Sequence, residues 1–127
     1  MRKFYILVIS VVSVGNVIND MVEKSIFLKY VGDTPKTRIL DFFLSGSMFD
    51  YSLSDIARKA GVSWRTLYKI FPEFIKNGII KYTRTMGKSK LYKLNRGNPI
   101  VEKFMELDEF LVAQERGKIA NKLKVKV

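Results

Sequence analysis

Between Asp33 and Gln114 the apolar residues recur at helical spacing in four stretches, each opened by a residue suited to capping. The first opens at Thr34 with Pro35 in the first helical position, where a missing N–H costs nothing. Ile39, Leu40, Phe43 and Leu44 form its stripe, and Ser45-Gly46 ends it. After a loop over Ser47–Tyr51, Ser52 and Asp55 stand at capping-box spacing ahead of a helix that buries Leu53, Ile56, Ala57 and Ala60 and stops at Gly61. Val62-Ser63 leads into a third helix, capped by Ser63, with Leu67, Ile70, Phe71, Phe74 and Ile75 on its apolar side. Pro72 removes the hydrogen bond to the Tyr68 carbonyl, so a kink or an early end is expected there, with Gly78 as the final cap. Ile79–Met86 and Lys90–Leu94, rich in Ile, Tyr and Thr, predict two strands joined through Gly87-Lys88-Ser89. Asn98-Pro99 opens the last helix, on which Ile100, Phe104, Leu107 and Leu111 repeat at spacings of four and three. From Gln114 onward the chain is polar and basic, which predicts a frayed tail. No internal repeat is present.

The first twenty residues follow another pattern. Arg2-Lys3 precedes an apolar run from Phe4 to Val14, interrupted only by Ser10 and Ser13. The run is shorter than the roughly 18–20 residues of a membrane span. It resembles the apolar part of a signal peptide, with Ser13 and Gly15 suited to cleavage. Its β-branched residues (Ile6, Val8, Ile9, Val11, Val12, Val14) equally suit a packed strand or a dimer-forming element. A third reading makes Met21 the true start. Membrane contact by residues 4–18 is the least favoured of these.

Composition narrows the chemistry. The 127 residues suffice for one compact domain, and 47% hydrophobic content supports a core. With no cysteine and no histidine, disulfides, zinc fingers, thiol nucleophiles and imidazole bases are excluded. The twelve acidic residues show no metal-ligand spacing, and no catalytic residue, metal or cofactor is expected. The net charge of +11 predicts an anionic partner, nucleic acid first. Lys81, Arg84, Lys88, Lys90, Lys93 and Arg96 lie in a stretch without an acid between Glu73 and Glu102. The acids gather instead at Glu102, Glu106, Asp108 and Glu109, and a solvated helix face accounts for Glu102, Glu106 and Glu109.

The stretch Leu53–Ile70 meets the requirements of a helix-turn-helix. Ala57 is small where two helices must touch, Gly61 tolerates positive φ at the turn, and Ile56, Val62, Leu67 and Ile70 anchor the crossing. The second helix, residues 63–77, then enters a DNA major groove through its N-terminal residues. Ser63, Trp64, Arg65, Thr66, Tyr68 and Lys69 are its candidate contacts. The Arg65 fork suits the two acceptors of guanine, Thr66 a thymine methyl or a capping role, and Tyr68 and Lys69 the backbone. Trp64 suits either DNA or packing on the hairpin. Strands 79–94 form a wing, with Arg84, Lys88 and Lys90 directed at phosphates or the minor groove. Val101, Met105, Phe110 and Val112 widen the apolar coverage of the last helix, so Ile100, Phe104, Leu107 and Leu111 are candidates for a homodimer contact.

Residues 31–111 resemble the archaeal winged-helix transcriptional regulators of the broad MarR/ArsR-like superfamily. The resemblance is carried by GDTPKTRILDFFL (Gly32–Leu44), DYSLSDIARKAGVSWRTLYKI (Asp50–Ile70) with Pro72, NGII (Asn77–Ile80), TRTMGKSKLYKLN (Thr83–Asn95) and NPIVEKFMELDEFL (Asn98–Leu111). It implies a mainly α fold with a small β-hairpin, a cytoplasmic and often dimeric regulator, double-stranded DNA as partner and no enzymatic activity. The expected organisation is an N-terminal extension (1–20), a winged helix-turn-helix (21–97), a C-terminal helix (98–115) and a basic tail (116–127). Two other classes compete. A winged-helix protein-interaction module would leave the basic surface idle, which sits badly with +11. An RNA- or replication-origin-binding protein would draw on exposed aromatics such as Tyr82 and Tyr92 of the hairpin.

Overall fold

The computed structural model describes residues 25–125, so the readings placed on residues 1–20 lie outside the described residues. Helices α1 (Ile26–Val31) and α2 (Pro35–Ser45) lead to a short strand β1 (Tyr51–Ser52), then α3 (Leu53–Ala60) and α4 (Trp64–Lys76). Strands β2 (Ile80–Met86) and β3 (Ser89–Leu94) form the hairpin, and α5 (Pro99–Val125) closes the chain. The sheet is antiparallel in the order β1-β3-β2, pairing Tyr51 with Tyr92 and Ile80 with Leu94. Among the described residues no helix is long and apolar enough to cross a membrane.

The capping residues perform as their chemistry requires. The Thr34 side chain accepts from the Thr37 N–H while the Thr37 hydroxyl answers the Thr34 N–H, a complete capping box. Ser52 caps α3 and Ser63 caps α4, each accepting the N–H three residues on. Gly61 ends α3 at φ +70°, a conformation that Cβ-bearing residues adopt only with strain. Arg38 of α2 holds that turn: it pairs with Asp33 and donates from Nη1 to the Gly61 carbonyl at 3.3 Å.

The core lies where all five helices meet the inner face of the hairpin. Phe27, Ile39, Phe43, Ile56, Leu67, Ile80, Leu94 and Val101 are almost completely sequestered there. α5 packs on α1 and α2, and Phe27 meets Phe104 edge to face at 6.4 Å.

The structure differs from the sequence expectations in four places. Helix α1 was not anticipated, because its six residues span fewer than two turns and show no period; it is fixed by Ser25, whose Oγ caps Leu28 and donates to Asp41. The expected loop over Ser47–Tyr51 ends in strand β1. Pro72 does not end its helix, which continues to Lys76. Pro72 is exposed, so the Tyr68 carbonyl it leaves unbonded lies on the wet side, while Phe71 and Phe74 are buried in the core. The basic tail is not frayed either: α5 runs on to Val125, a rod of roughly 40 Å at 1.5 Å per residue.

Burial sets the scale of the packing. Phe43→Ala is expected to lower the unfolding free energy by about 3–5 kcal/mol through lost transfer energy and a residual cavity. Gly61→Ala should cost about 1 kcal/mol through backbone strain alone. Urea unfolding of the full chain measures both; equal losses at the two positions would contradict the assignment of Phe43 to the core and Gly61 to the surface turn.

Candidate nucleic-acid interface

The α3–turn–α4 unit fixes which side of α4 meets solvent. Leu67, Phe71 and Phe74 bury one side, and that leaves Trp64, Arg65, Tyr68 and Lys69 exposed on the other. Trp64 stacks on Tyr68, one turn on, at 5.3 Å and 27°, so its indole lies along the helix rather than against the hairpin. Ser63 and Thr66 are engaged in the cap: the Ser63 hydroxyl donates to Thr66 Oγ1 at 2.9 Å and accepts from the Thr66 N–H at 3.2 Å. Thr66 is half-buried at the third position of that cap.

The hairpin projects beside this helix. Every residue from 81 to 90 is exposed, including Lys88 in the turn and Lys90 at the start of β3. Arg84 is placed differently from the expectation that grouped it with them. Its guanidinium is held by Asp50, with Nε to Oδ2 at 3.0 Å and Nη2 to Oδ1 at 3.3 Å. Thr83 donates to the same carboxylate at 2.7 Å, at the irregular register between Tyr82 and Arg84. The acid-free stretch of the hairpin therefore receives its counter-charge from the loop before β1. Asp50 is the functional residue the sequence reading missed; its one signal was an acid beside the aromatic Tyr51, too weak to pair across 34 positions.

Tyr51 anchors the same segment from below. Its ring lies 4.5 Å from Phe42 and 5.9 Å from Phe43, its hydroxyl donates to the Gly46 carbonyl at 3.3 Å, and Lys59 sits 5.5 Å over its outer face. A Cβ at position 46 would collide with that hydroxyl, so Gly46 is required by close approach. Burial, reinforced by Asp50 and Asp55, pushes the phenol above its ordinary pKa and keeps it a donor.

The four candidates on α5 separate. Leu111 is buried in the chain's own core and Phe104 is half-buried against it, whereas Ile100 and Leu107 stay exposed, together with Phe110. Among the described residues no group of three acidic side chains is placed to hold a metal ion.

No protein-family model matches the sequence, and no curated protein matches it. Solved structures do. An apo form of ZitR from Lactococcus lactis aligns with 86% of this chain and 84% of its own, at 15% identity and a TM-score of 0.55. The antimony-specific transcriptional repressor AntR aligns over 81% of this chain and 86% of its own, at 16% identity and a TM-score of 0.51. Sso10a-2, a DNA-binding protein from Sulfolobus solfataricus, covers 74% and 93% at 16% identity and a TM-score of 0.45. At these identities the first two likenesses establish the fold: mostly helical with a small three-stranded antiparallel sheet, a winged helix-turn-helix.

The Asp50 anchor has a defined pH range. Hydrogen bonds from Arg84, then from Thr83, hold its carboxyl below the ordinary value of 3.8. A carboxyl with a lower pKa folded than unfolded stabilises the fold above the unfolded value and loses that contribution as pH falls through the folded one. The anchor is therefore closed at neutral pH and released only in acid, below about 3.8. Asp50→Asn should speed amide exchange across β2 and β3 relative to the parent at about pH 6, and the difference should shrink as the pH is taken progressively below 3.8. Unchanged protection at the higher pH would contradict the anchoring role.

Proposed function

We propose that the chain is a sequence-specific, double-stranded-DNA-binding transcriptional regulator and not an enzyme. Helix α4 enters the major groove and the β2–β3 hairpin lies as a wing on the backbone or in the minor groove. One observation carries the reading. Among the described residues Arg65, Lys69, Lys88 and Lys90 are exposed and form no ion pair, whereas Lys36, Arg38, Arg58, Arg84 and Lys103 are each matched to an acid. These four sit on the two elements that a winged helix-turn-helix presents to DNA, while some other cations without an ion pair, among them Lys29, Lys59 and Arg96, lie elsewhere. AntR, which shares the fold, is itself a transcriptional repressor. Arg65 reads guanine through its two acceptors; Tyr68 and Lys69 fix the helix on the backbone; Lys88 and Lys90 grip phosphates. Trp64 lies beside Arg65 at the helix start, and Ser63 and Thr66 shape that start as its cap. Arg84 is kept on Asp50 and contributes less. A genomic partner places the protein in the cytoplasm.

Fluorescence-anisotropy titration of the full chain against mixed-sequence duplex DNA at several salt concentrations tests this. Each phosphate contact adds about 0.9 to the slope of log affinity against log salt. Lys88→Ala with Lys90→Ala should therefore flatten the slope by about 1.8, and Arg84→Ala should change it by much less. Arg65→Ala should cost about 1–3 kcal/mol on the preferred sequence and relax its specificity. Absence of binding at low salt would sink the reading and direct attention to a protein partner.

The same reading includes a homodimer. Exposed Ile100, Leu107 and Phe110 lie along α5, on the side left over after Val101, Met105 and Leu111 pack inward. A two-fold pair would present two recognition helices to a two-fold-related site. Leu107→Glu with Phe110→Glu should convert a dimer to a monomer in sedimentation velocity; an unchanged sedimentation coefficient would remove this face from the interface.

A further inference from the structure

An intact duplex has nothing to lay against the faces of three aromatic rings on this surface. Trp64, Tyr68 and Tyr82 are 45%, 61% and 51% exposed. They are arranged, not scattered. Trp64 and Tyr68 form one stack on α4. On the hairpin, Tyr82 meets Tyr92 edge to face at 6.1 Å, and Tyr92 meets Phe71 on the buried side of α4 at 4.9 Å, which seats the hairpin rings against that helix. Tyr68 and Tyr92 border a common groove of about 410 Å³, whose other walls include Leu67, Ile75 and Lys76. The Tyr82 hydroxyl is tied to Thr85 Oγ1 at 2.6 Å, which fixes that ring in place.

Bases within a duplex are stacked on one another and offer only their edges to a protein in the groove. Phosphates offer charge and no apolar face. A ring face is covered by an unstacked base, and every base has one. The charge of the surface selects the same partner: no acidic residue occurs between Glu73 and Glu102, and Lys69 and Lys76 flank the rings on α4. Aromatic rings set in a predominantly basic surface are the combination that binds single strands with little sequence preference.

We propose that the aromatic row of Trp64, Tyr68 and Tyr82 takes unpaired bases of single-stranded DNA, giving the protein affinity for melted or single-stranded segments in addition to duplex. The inference rests on the reading of this face as a nucleic-acid surface and extends it from base edges to base faces.

Trp64 is the only tryptophan, so its emission reports from within the proposed site. The full chain is titrated with an oligothymidylate of about 12 nucleotides, the corresponding uridine oligomer, a mixed-sequence duplex, and heparin, which carries charge but no bases. Oligothymidylate is expected to quench Trp64 and heparin to bind without quenching. Each ring removed should cost on the order of tenfold in oligothymidylate affinity, so Tyr68→Ala with Tyr82→Ala loses about a hundredfold. Duplex affinity, tested in Tyr82→Ala alone because Tyr68 is itself a proposed backbone contact, should fall by less than about threefold, since duplex contacts are chiefly to phosphates. Tyr68→Phe with Tyr82→Phe keeps both rings and should restore single-strand binding, which separates stacking from loss of fold. Equal losses for single strand and duplex, or no quenching by oligothymidylate, would overturn the inference while duplex binding leaves the regulator reading standing. Tighter binding of the uridine oligomer would overturn the assignment to DNA. Failure to bind either strand form would overturn both readings together.

Discussion

Three consecutive residues, Asp50-Tyr51-Ser52, tie the molecule's working parts to one another. Asp50 holds the wing through Arg84 and Thr83. Tyr51 sinks its ring against Phe42 and Phe43 and pairs its backbone with Tyr92 of β3. Ser52 caps the first helix of the helix-turn-helix. Successive residues of an extended strand face opposite ways, and so a segment only two strand residues long can address three structures at once. Without it the hairpin would be joined to the body mainly through Ile79, Ile80 and Leu94 at its root, and the angle between wing and recognition helix would be loosely set.

The charge distribution follows from that arrangement. The arginines of structural use, Arg38 at the helix-turn-helix turn and Arg84 at the wing, are matched to nearby carboxylates that orient them. These ion pairs are largely exposed, and pairs of that kind contribute little to stability; their value here is geometric. Among the cations without such partners, Arg65, Lys69, Lys88 and Lys90 carry an uncompensated field outward from α4 and the hairpin. The two groups divide the labour between holding a surface in shape and presenting it.

Local chemistry was legible in the sequence and long-range pairing was not. Thr34, Ser52, Ser63, Gly61 and Gly78 mark their boundaries because capping and positive φ depend on the residue itself and its neighbours within one turn. The apolar periods gave α2 to α5 for the same reason. Strand β1 left no signal, since a two-residue strand has no period and exists only by pairing with β3. Arg84 was assigned to DNA because the hairpin itself contains no acid; its partner comes from another part of the chain, through a register that only the folded sheet creates. At Pro72 a local rule allowed a kink or an early end; the helix runs on to Lys76, with Phe71 and Phe74 buried beside the proline. On α5 the stripe of four candidates was real, but the sequence could not say that Leu111 belongs to the chain's own core while Phe110 does not.

In the strand order β1-β3-β2, β2 is an edge: one side of its backbone pairs with β3, and its residues from Lys81 to Met86 are exposed. An outer strand edge that pairs with no other strand among the described residues is a template for a strand from another molecule. Lys81 on that strand, with Lys88 at the turn and Lys90 beyond it, repels a second identical edge before it can register. The basic character of the wing thus has a second use that is independent of any ligand: it keeps copies of the protein from knitting together through their hairpins, so that a chain whose wing had been neutralised would trade its charge for a tendency to self-associate into sheets.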